Sequence, residues 1–184
     1  MIYSIDLKLA GIVVGVLLIA GHLPAILRTA DCSLWLAAFP RSRAAGTVLI
    51  VLAGLWSLIL IRTMDLGEFA GLRNLMTGAV VAGTFLAWRY LEEFLAVRAL
   101  GMIALLAAEP LLEAAYLKPE TSRLLVVVLA YAWIVLGLFW VGIPWVLRDQ
   151  VRWLTQNLAR FRAAAWGGVV YGILVLACAL LFWR

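Results

Sequence analysis

Glu109 and Glu113 are the residues of this sequence best suited to chemistry. They lie four positions apart within an apolar run, so a helix would place both on one face. A carboxylate inside a membrane span costs free energy unless it faces a cavity, takes up a proton or meets a cation. Two carboxylates on one face also repel each other, which favours proton uptake by one of them. The pair is therefore a candidate proton or cation relay.

Pro110 lies between these glutamates and would remove one helical hydrogen bond, which leaves the Leu106 carbonyl free. Helices interrupted in this way line the binding sites of membrane transporters. The alternative interpretation is structural. In that case Glu113 pairs with Lys118 or an arginine, and Glu109 forms a hydrogen bond to a neighbour.

Glu92 and Glu93 form a second acidic pair, which is similar to the Glu-Glu-x-x-x-Arg motif of membrane-embedded CAAX-type proteases. Here Arg98 is one residue too far from the pair. That family also needs histidines after the glutamates, whereas the single histidine of this chain, His22, precedes them. We therefore exclude that protease activity. Arg89 lies three and four positions before the glutamates, and this spacing predicts a local interfacial ion pair.

His22 is the only candidate cofactor ligand, because one imidazole suffices for a five-coordinate haem or a chlorophyll magnesium. A hydrogen bond inside the bundle is the simpler interpretation of the same residue. Cys32 and Cys178 are predicted near opposite membrane faces, which excludes an intramolecular disulfide. One histidine and two cysteines at no motif spacing also argue against zinc. We expect no metal and no cofactor.

The composition predicts an integral membrane protein. Of the 184 residues, 66% are hydrophobic and 14% charged, whereas soluble domains have roughly 45–50% apolar and about 25% charged residues. We take residues 1–184 as one domain. The net charge of +5 does not indicate nucleic-acid binding, because the basic residues stand singly at the ends of apolar runs, where topology signals lie.

The apolar runs predict an all-α bundle of about six spans. The predicted spans are residues 9–27, 44–61, 74–88, 99–117, 124–147 and 163–183. The third run reaches only about 22 Å, so we expect it to continue through residues 89–95. Five spans remain the alternative, because the join between the third and fourth runs contains no Gly or Pro.

Two connections are predicted to be helices in their own right. Residues 148–162 carry apolar side chains at helical spacing, which predicts an amphipathic helix lying in the membrane interface. The apolar positions are Val151, Leu154, Leu158 and Phe161. Residues 31–39 predict a shorter helix that begins with Asp31 as its N-cap and ends at Pro40.

The distribution of lysine and arginine predicts the orientation. With six spans, nine basic residues fall in the connections on one side and six on the side of the two termini. The positive-inside rule then places the chain in the cell membrane as a multi-pass protein with both termini outside.

Three small-x-x-x-small patterns offer surfaces for helix contacts: Gly11/Gly15, Gly78/Ala82 and Gly168/Gly172. The reaction motifs of hydrolases, metalloproteases and nucleotide-binding enzymes are missing. We therefore expect a non-catalytic subunit, scaffold or assembly factor. Its partners would be the lipid bilayer and other membrane subunits or a second copy, with no nucleic acid. The alternative is an ion-coupled or small-solute transporter that uses Glu109 and Glu113.

Overall fold

The computed structural model describes Tyr3, residues 5–91 and residues 93–183, and in these residues the fold is all-helical. The α-helices are α1 (Leu7–Leu27), α2 (Thr29–Ala38), α3 (Arg43–Thr63), α4 (Arg73–Tyr90), α5 (Leu95–Ala115), α6 (Leu124–Gly142), α7 (Trp145–Thr155) and α8 (Leu158–Leu181). Short 3-10 helices at Phe39–Arg41, Gly67–Leu72 and Thr121–Arg123 complete the connections.

Six of the helices in the described part of the chain are long and apolar enough to cross a membrane: α1, α3, α4, α5, α6 and α8. The predicted transmembrane bundle is confirmed. Because the spanning helices alternate in direction, α2 and α7 lie at one end of the bundle, the α7 end. The start of α1, the end of α8 and the loop before α6 lie at the other, the terminal end. Trp183 of the C-terminus donates a hydrogen bond to Ser122 of that loop at 2.7 Å.

The bundle is built around two tight helix pairs, α1 with α8 and α5 with α6, and α3 packs on α5. Small side chains fill the main core, which includes Ala108, Ala130 and Ala179 together with the buried ring of Trp183. α4 lies at the edge and packs mainly against α3.

The predicted continuation of the third span through residues 89–95 is wrong. α4 ends at Tyr90 and α5 begins at Leu95, because Phe94 adopts a left-handed backbone with φ of 57° and reverses the chain without Gly or Pro. The Phe94 ring packs against buried Val97 and Leu147, and these contacts offset the backbone strain. The missing length of the third span comes instead from the 3-10 helix Gly67–Leu72 before α4.

The predicted helix at residues 148–162 exists but is shorter and begins earlier, at Trp145. Its start follows from Pro144, since a proline disfavours helical backbone in the residue before it and so ends α6 at Gly142. The helix ends at Thr155 because Asn157 caps α8. The side-chain oxygen of Asn157 accepts hydrogen bonds from the backbone N–H groups of Ala159 and Arg160, at 2.9 and 3.3 Å.

The four apolar positions assigned to that helix are therefore divided between two helices. Val151 and Leu154 belong to α7, whereas Leu158 and Phe161 begin α8. Val151 and Phe161 are buried, and Leu158 is exposed.

The short helix predicted at residues 31–39 begins two residues earlier, at Thr29. Asp31 lies in its first turn and is not its N-cap, because the turn at Arg28 already starts the helix. As predicted, the helix ends before Pro40, which occupies the start of the following 3-10 helix.

Candidate functional site

Glu109 and Glu113 lie on α5 and line one cavity of about 560 Å³. Tyr116 and Ile134 also line this cavity. The cavity extends along α5 from its midpoint, at Leu105, to the terminal end of the bundle, at Tyr116. Glu109 is exposed and Glu113 is half-buried. The pair therefore shares a face; Glu109 lies four positions, or about 6 Å, from the midpoint of its span, and Glu113 lies two positions from its end.

Pro110 does not interrupt α5, which is helical from Leu95 to Ala115. The proline still lacks the N–H that would bond the Leu106 carbonyl. The helix interruption that the sequence indicated at Pro110 is therefore absent from α5.

Tyr3 connects Glu113 to α3. The backbone N–H of Tyr3 donates to Oε2 of Glu113 at 3.1 Å, and its hydroxyl oxygen accepts a hydrogen bond from the indole of Trp56 at 2.7 Å. Sequence reasoning missed Tyr3, because the contact joins residues 110 positions apart and no local spacing signals it.

Tyr3 lies before the first span, and both glutamates affect the pKa of its phenol. Burial raises the pKa of Tyr3, the hydrogen bond from Trp56 lowers it by less, and the carboxylates of Glu109 and Glu113 raise it further. The phenol therefore stays neutral and keeps its own proton as a second hydrogen-bond donor.

Lys118, one predicted partner of Glu113, pairs with Asp6 instead. Its Nζ lies 2.9 Å from Oδ1 of Asp6, so the loop after α5 is tied to the start of α1. This hydrogen bond lowers the pKa of Asp6 and raises that of Lys118. In the same loop, Arg123 donates to the carbonyl oxygen of Ala115 at 2.8 Å and caps α5.

The predicted ion pair of Arg89 with Glu92 and Glu93 required one helix that continues through all three residues. Glu92 lies outside the described residues. The structure gives no ion pair between Arg89 and Glu93, because α4 ends at Tyr90 and the helical spacing of four positions no longer applies. The guanidinium of Arg89 lies 5.7 Å from the ring centre of Tyr90 instead. Arg89, Glu93 and Arg98 line a common cavity.

His22 lies near the α7 end of α1 and lines a cavity of about 520 Å³ with Cys32 and Trp35. Its Nδ1 is 2.8 Å from the carbonyl oxygen of Leu18. Because a carbonyl only accepts, this hydrogen bond requires the proton on Nδ1. The ring also packs so closely on α8 that a Cβ at Gly168 would lie 2.5 Å from Nε2. The described residues contain no cluster of three metal ligands around this imidazole.

Two of the three small-residue faces lie inside the bundle. Gly11 and Gly15 of α1 pack against α8, and Gly172 packs against α1, while Gly168 accommodates His22. Gly78 differs, since a Cβ there would meet no described atom within 4 Å. Of the three faces, only Gly78 with Ala82 is open to a partner.

Comparison of this chain with protein-family models, curated proteins and solved structures finds no match.

Proposed function

We propose that this protein is a non-catalytic membrane subunit, scaffold or assembly factor that binds another membrane protein through α4. The supporting observation is the burial of the spanning helices. Every residue of α4 is described and none is buried, nor is any in the 3-10 helix before it. Each of the other five spanning helices has at least three buried residues. α4 thus contributes a whole span to the membrane and almost nothing to the core of its own chain.

The exposed side of α4 has the composition of a helix contact. Gly78 has open space in front of it, and Ala82, one turn further along the same face, is exposed. Small residues let two helix backbones approach closely in lipid, where packing and hydrogen bonds replace the hydrophobic driving force. α4 is also the least apolar of the candidate spans, with Asn74 exposed near its start. A span that faced only lipid would gain from a more apolar surface.

A photo-crosslinking amino acid at position 78 or 82 tests this proposal in cells. We expect a discrete adduct with one membrane protein, or with a second copy of the chain, from both positions. Position 170 on α8 is the matched control, since Val170 is also exposed, at 50%. The same adducts from position 170, or none from α4, would contradict the docking role. Gly78→Leu should also abolish copurification of the partner, whereas Val170→Leu should not.

We further propose that both chain termini lie outside the cytoplasm. The support is the excess of basic residues at the α7 end, nine against six, which the positive-inside rule assigns to the cytoplasm. A periplasm- or lumen-active reporter fused to the C-terminus should be active, and the same reporter inserted between α7 and α8 should not. The reverse pattern would invert the orientation.

Transport by way of Glu109 and Glu113 is the second candidate function. It is favoured by one observation, that both carboxylates line the same cavity. Liposomes loaded with a pH-sensitive dye test it directly: a transporter would carry a proton flux that the double substitution E109Q/E113Q abolishes. Equal flux from protein-free, wild-type and variant liposomes would contradict transport through these glutamates and leave partner binding through α4 as the proposed function.

A further inference from the structure

A basic cavity of about 440 Å³ lies at the α7 end, between the 3-10 helix Phe39–Arg41 and α7. Arg41, Arg148 and Arg152 line it together with Thr155. Three guanidinium groups around one cavity make its electrostatic potential positive, which favours a bound anion. This cavity is separate from the glutamates of α5 and from the exposed face of α4.

Only one of these arginines is neutralised by the protein. Arg148 pairs with its neighbour Asp149 at 2.8 Å, and its guanidinium lies 5.9 Å from the ring centre of Phe94. Among the described residues, no carboxylate pairs with Arg41 or Arg152. The cavity therefore presents two uncompensated positive charges.

Exposed tryptophans on α7 favour a position of these charges at the level of lipid headgroups. Leu147 and Val151 are buried against the bundle, whereas Trp145 and Trp153 are 52% and 59% exposed on the same helix. Exposed tryptophans at the ends of spans are typical of the membrane interface. The guanidinium of Arg160, 4.1 Å from the ring centre of Trp153, adds a further positive charge near that surface.

We propose that this cavity binds the phosphate of an anionic phospholipid headgroup. Guanidinium groups bind phosphate oxygens through paired, charge-assisted hydrogen bonds, which favours them over ammonium groups at such a site. Basic pockets between helices at the membrane surface bind anionic headgroups in the same way. The remaining lining residues, Ala37, Pro40 and Val151, are apolar and adjoin the start of the acyl chains. The bound lipid would link the 3-10 helix Phe39–Arg41, which precedes α3, to α7.

Native mass spectrometry of the purified full chain tests the site. The protein is mixed with micelles that contain phosphatidylcholine and a small fraction of phosphatidylglycerol, and the retained lipid is counted. We expect one phosphatidylglycerol to remain bound in preference to phosphatidylcholine. In R41Q/R152Q the affinity should fall roughly 25-fold, because each basic residue near an anionic headgroup contributes about a fivefold factor.

Arg62 is the matched control, since it is an exposed arginine at the opposite end of the bundle. R62Q should retain the lipid as wild type does, and the thermal unfolding temperature of R41Q/R152Q in detergent should match that of wild type. Equal retention by wild type and R41Q/R152Q would overturn the site. A free phosphate compound as the ligand is a separate outcome: displacement of phosphatidylglycerol by millimolar inorganic phosphate would overturn the assignment to a lipid.

Discussion

Gly15 of α1 and Gly172 of α8 face each other so closely that a Cβ on either would lie 2.9 Å from the carbonyl oxygen of the other. Real Cβ atoms essentially never approach so near, so the two backbones are in direct contact at this point. Such proximity permits weak Cα–H···O contacts between the helices. The α1–α8 pair therefore depends on glycine at both positions.

Alanine at either position should separate the two helices locally. We expect Gly15→Ala and Gly172→Ala each to lower the free energy of unfolding by about 1–3 kcal/mol, as overpacking does in cores. Thermal unfolding in detergent measures the effect. Gly78→Ala is the matched control, because its Cβ has open space; helix propensity should leave the stability of this variant unchanged or raise it by up to about 1 kcal/mol. An equal loss at all three positions would show that the close contact is not the cause.

The spans were predictable from the sequence because the membrane requires long apolar runs, and their length alone identifies them. The glycine patterns were predictable as contact surfaces, yet their partners were not. Gly11, Gly15 and Gly172 could equally have served another protein, and only the fold shows that they meet inside the chain. Local spacing describes a helix face and does not identify what packs against it.

Three failures of prediction share one physical origin, which is tertiary contact overriding local preference. Phe94 adopts a left-handed backbone that few phenylalanines adopt, because its ring packs into a core formed by distant residues. Lys118 pairs with Asp6, 112 positions away, and not with the glutamate nearest in sequence. Tyr3 reaches Glu113 across a similar separation. None of these contacts leaves a periodic signal.

Leu117 offers a test of backbone strain just after α5. It has φ of 54° and a side chain that is 79% exposed. Because glycine tolerates this left-handed conformation and little packing is lost, Leu117→Gly should raise the free energy of unfolding by roughly 0.5–1 kcal/mol. Phe94→Gly should instead destabilise the protein, since the lost ring packing outweighs the relieved strain. Denaturant unfolding of both variants measures the difference, and a loss of stability in Leu117→Gly would exclude strain at that position.

The Asp6–Lys118 pair predicts a dependence of stability on pH. The hydrogen bond from Lys118 holds the pKa of Asp6 below its usual value of 3.8, so the folded state binds this proton less readily than the unfolded state. The stabilisation is therefore present above that usual pKa and is lost as the pH falls through the lower, folded-state pKa. Asp6→Asn should flatten the unfolding temperature between pH 5 and about pH 3. Lys118→Met should flatten the same dependence, because it removes the partner that lowers the pKa of Asp6. Added salt should weaken the Asp6 effect, since the pair is exposed.

Glu109 and Glu113 should differ in their effect on stability although they share a cavity. Glu113 accepts the backbone N–H of Tyr3, whereas Glu109 is exposed and has no described hydrogen-bond or ion-pair partner. Glu113→Ala should therefore cost about 1–3 kcal/mol, since it deprives a part-buried donor of its acceptor. Glu109→Ala should stay within about 0.5 kcal/mol of wild type. Thermal unfolding in detergent distinguishes the two, and equal losses would exclude a structural role specific to Glu113.

The pKa of Tyr3 reports the charge of Glu109 and Glu113 independently of the stability of the protein. The carboxylates of Glu109 and Glu113 both raise the pKa of the Tyr3 phenol, so removing either charge should lower that pKa. Glu109→Gln is the cleaner variant, because it keeps the shape of the side chain and breaks no described contact. We expect the pKa of Tyr3 to fall in this variant while the unfolding temperature stays constant. The ring carbon bonded to the Tyr3 hydroxyl, labelled with ¹³C and followed by NMR over pH in micelles, gives the pKa directly. An unchanged pKa would mean that the Glu109 carboxylate does not act on the phenol, and would contradict the electrostatic coupling between the two residues.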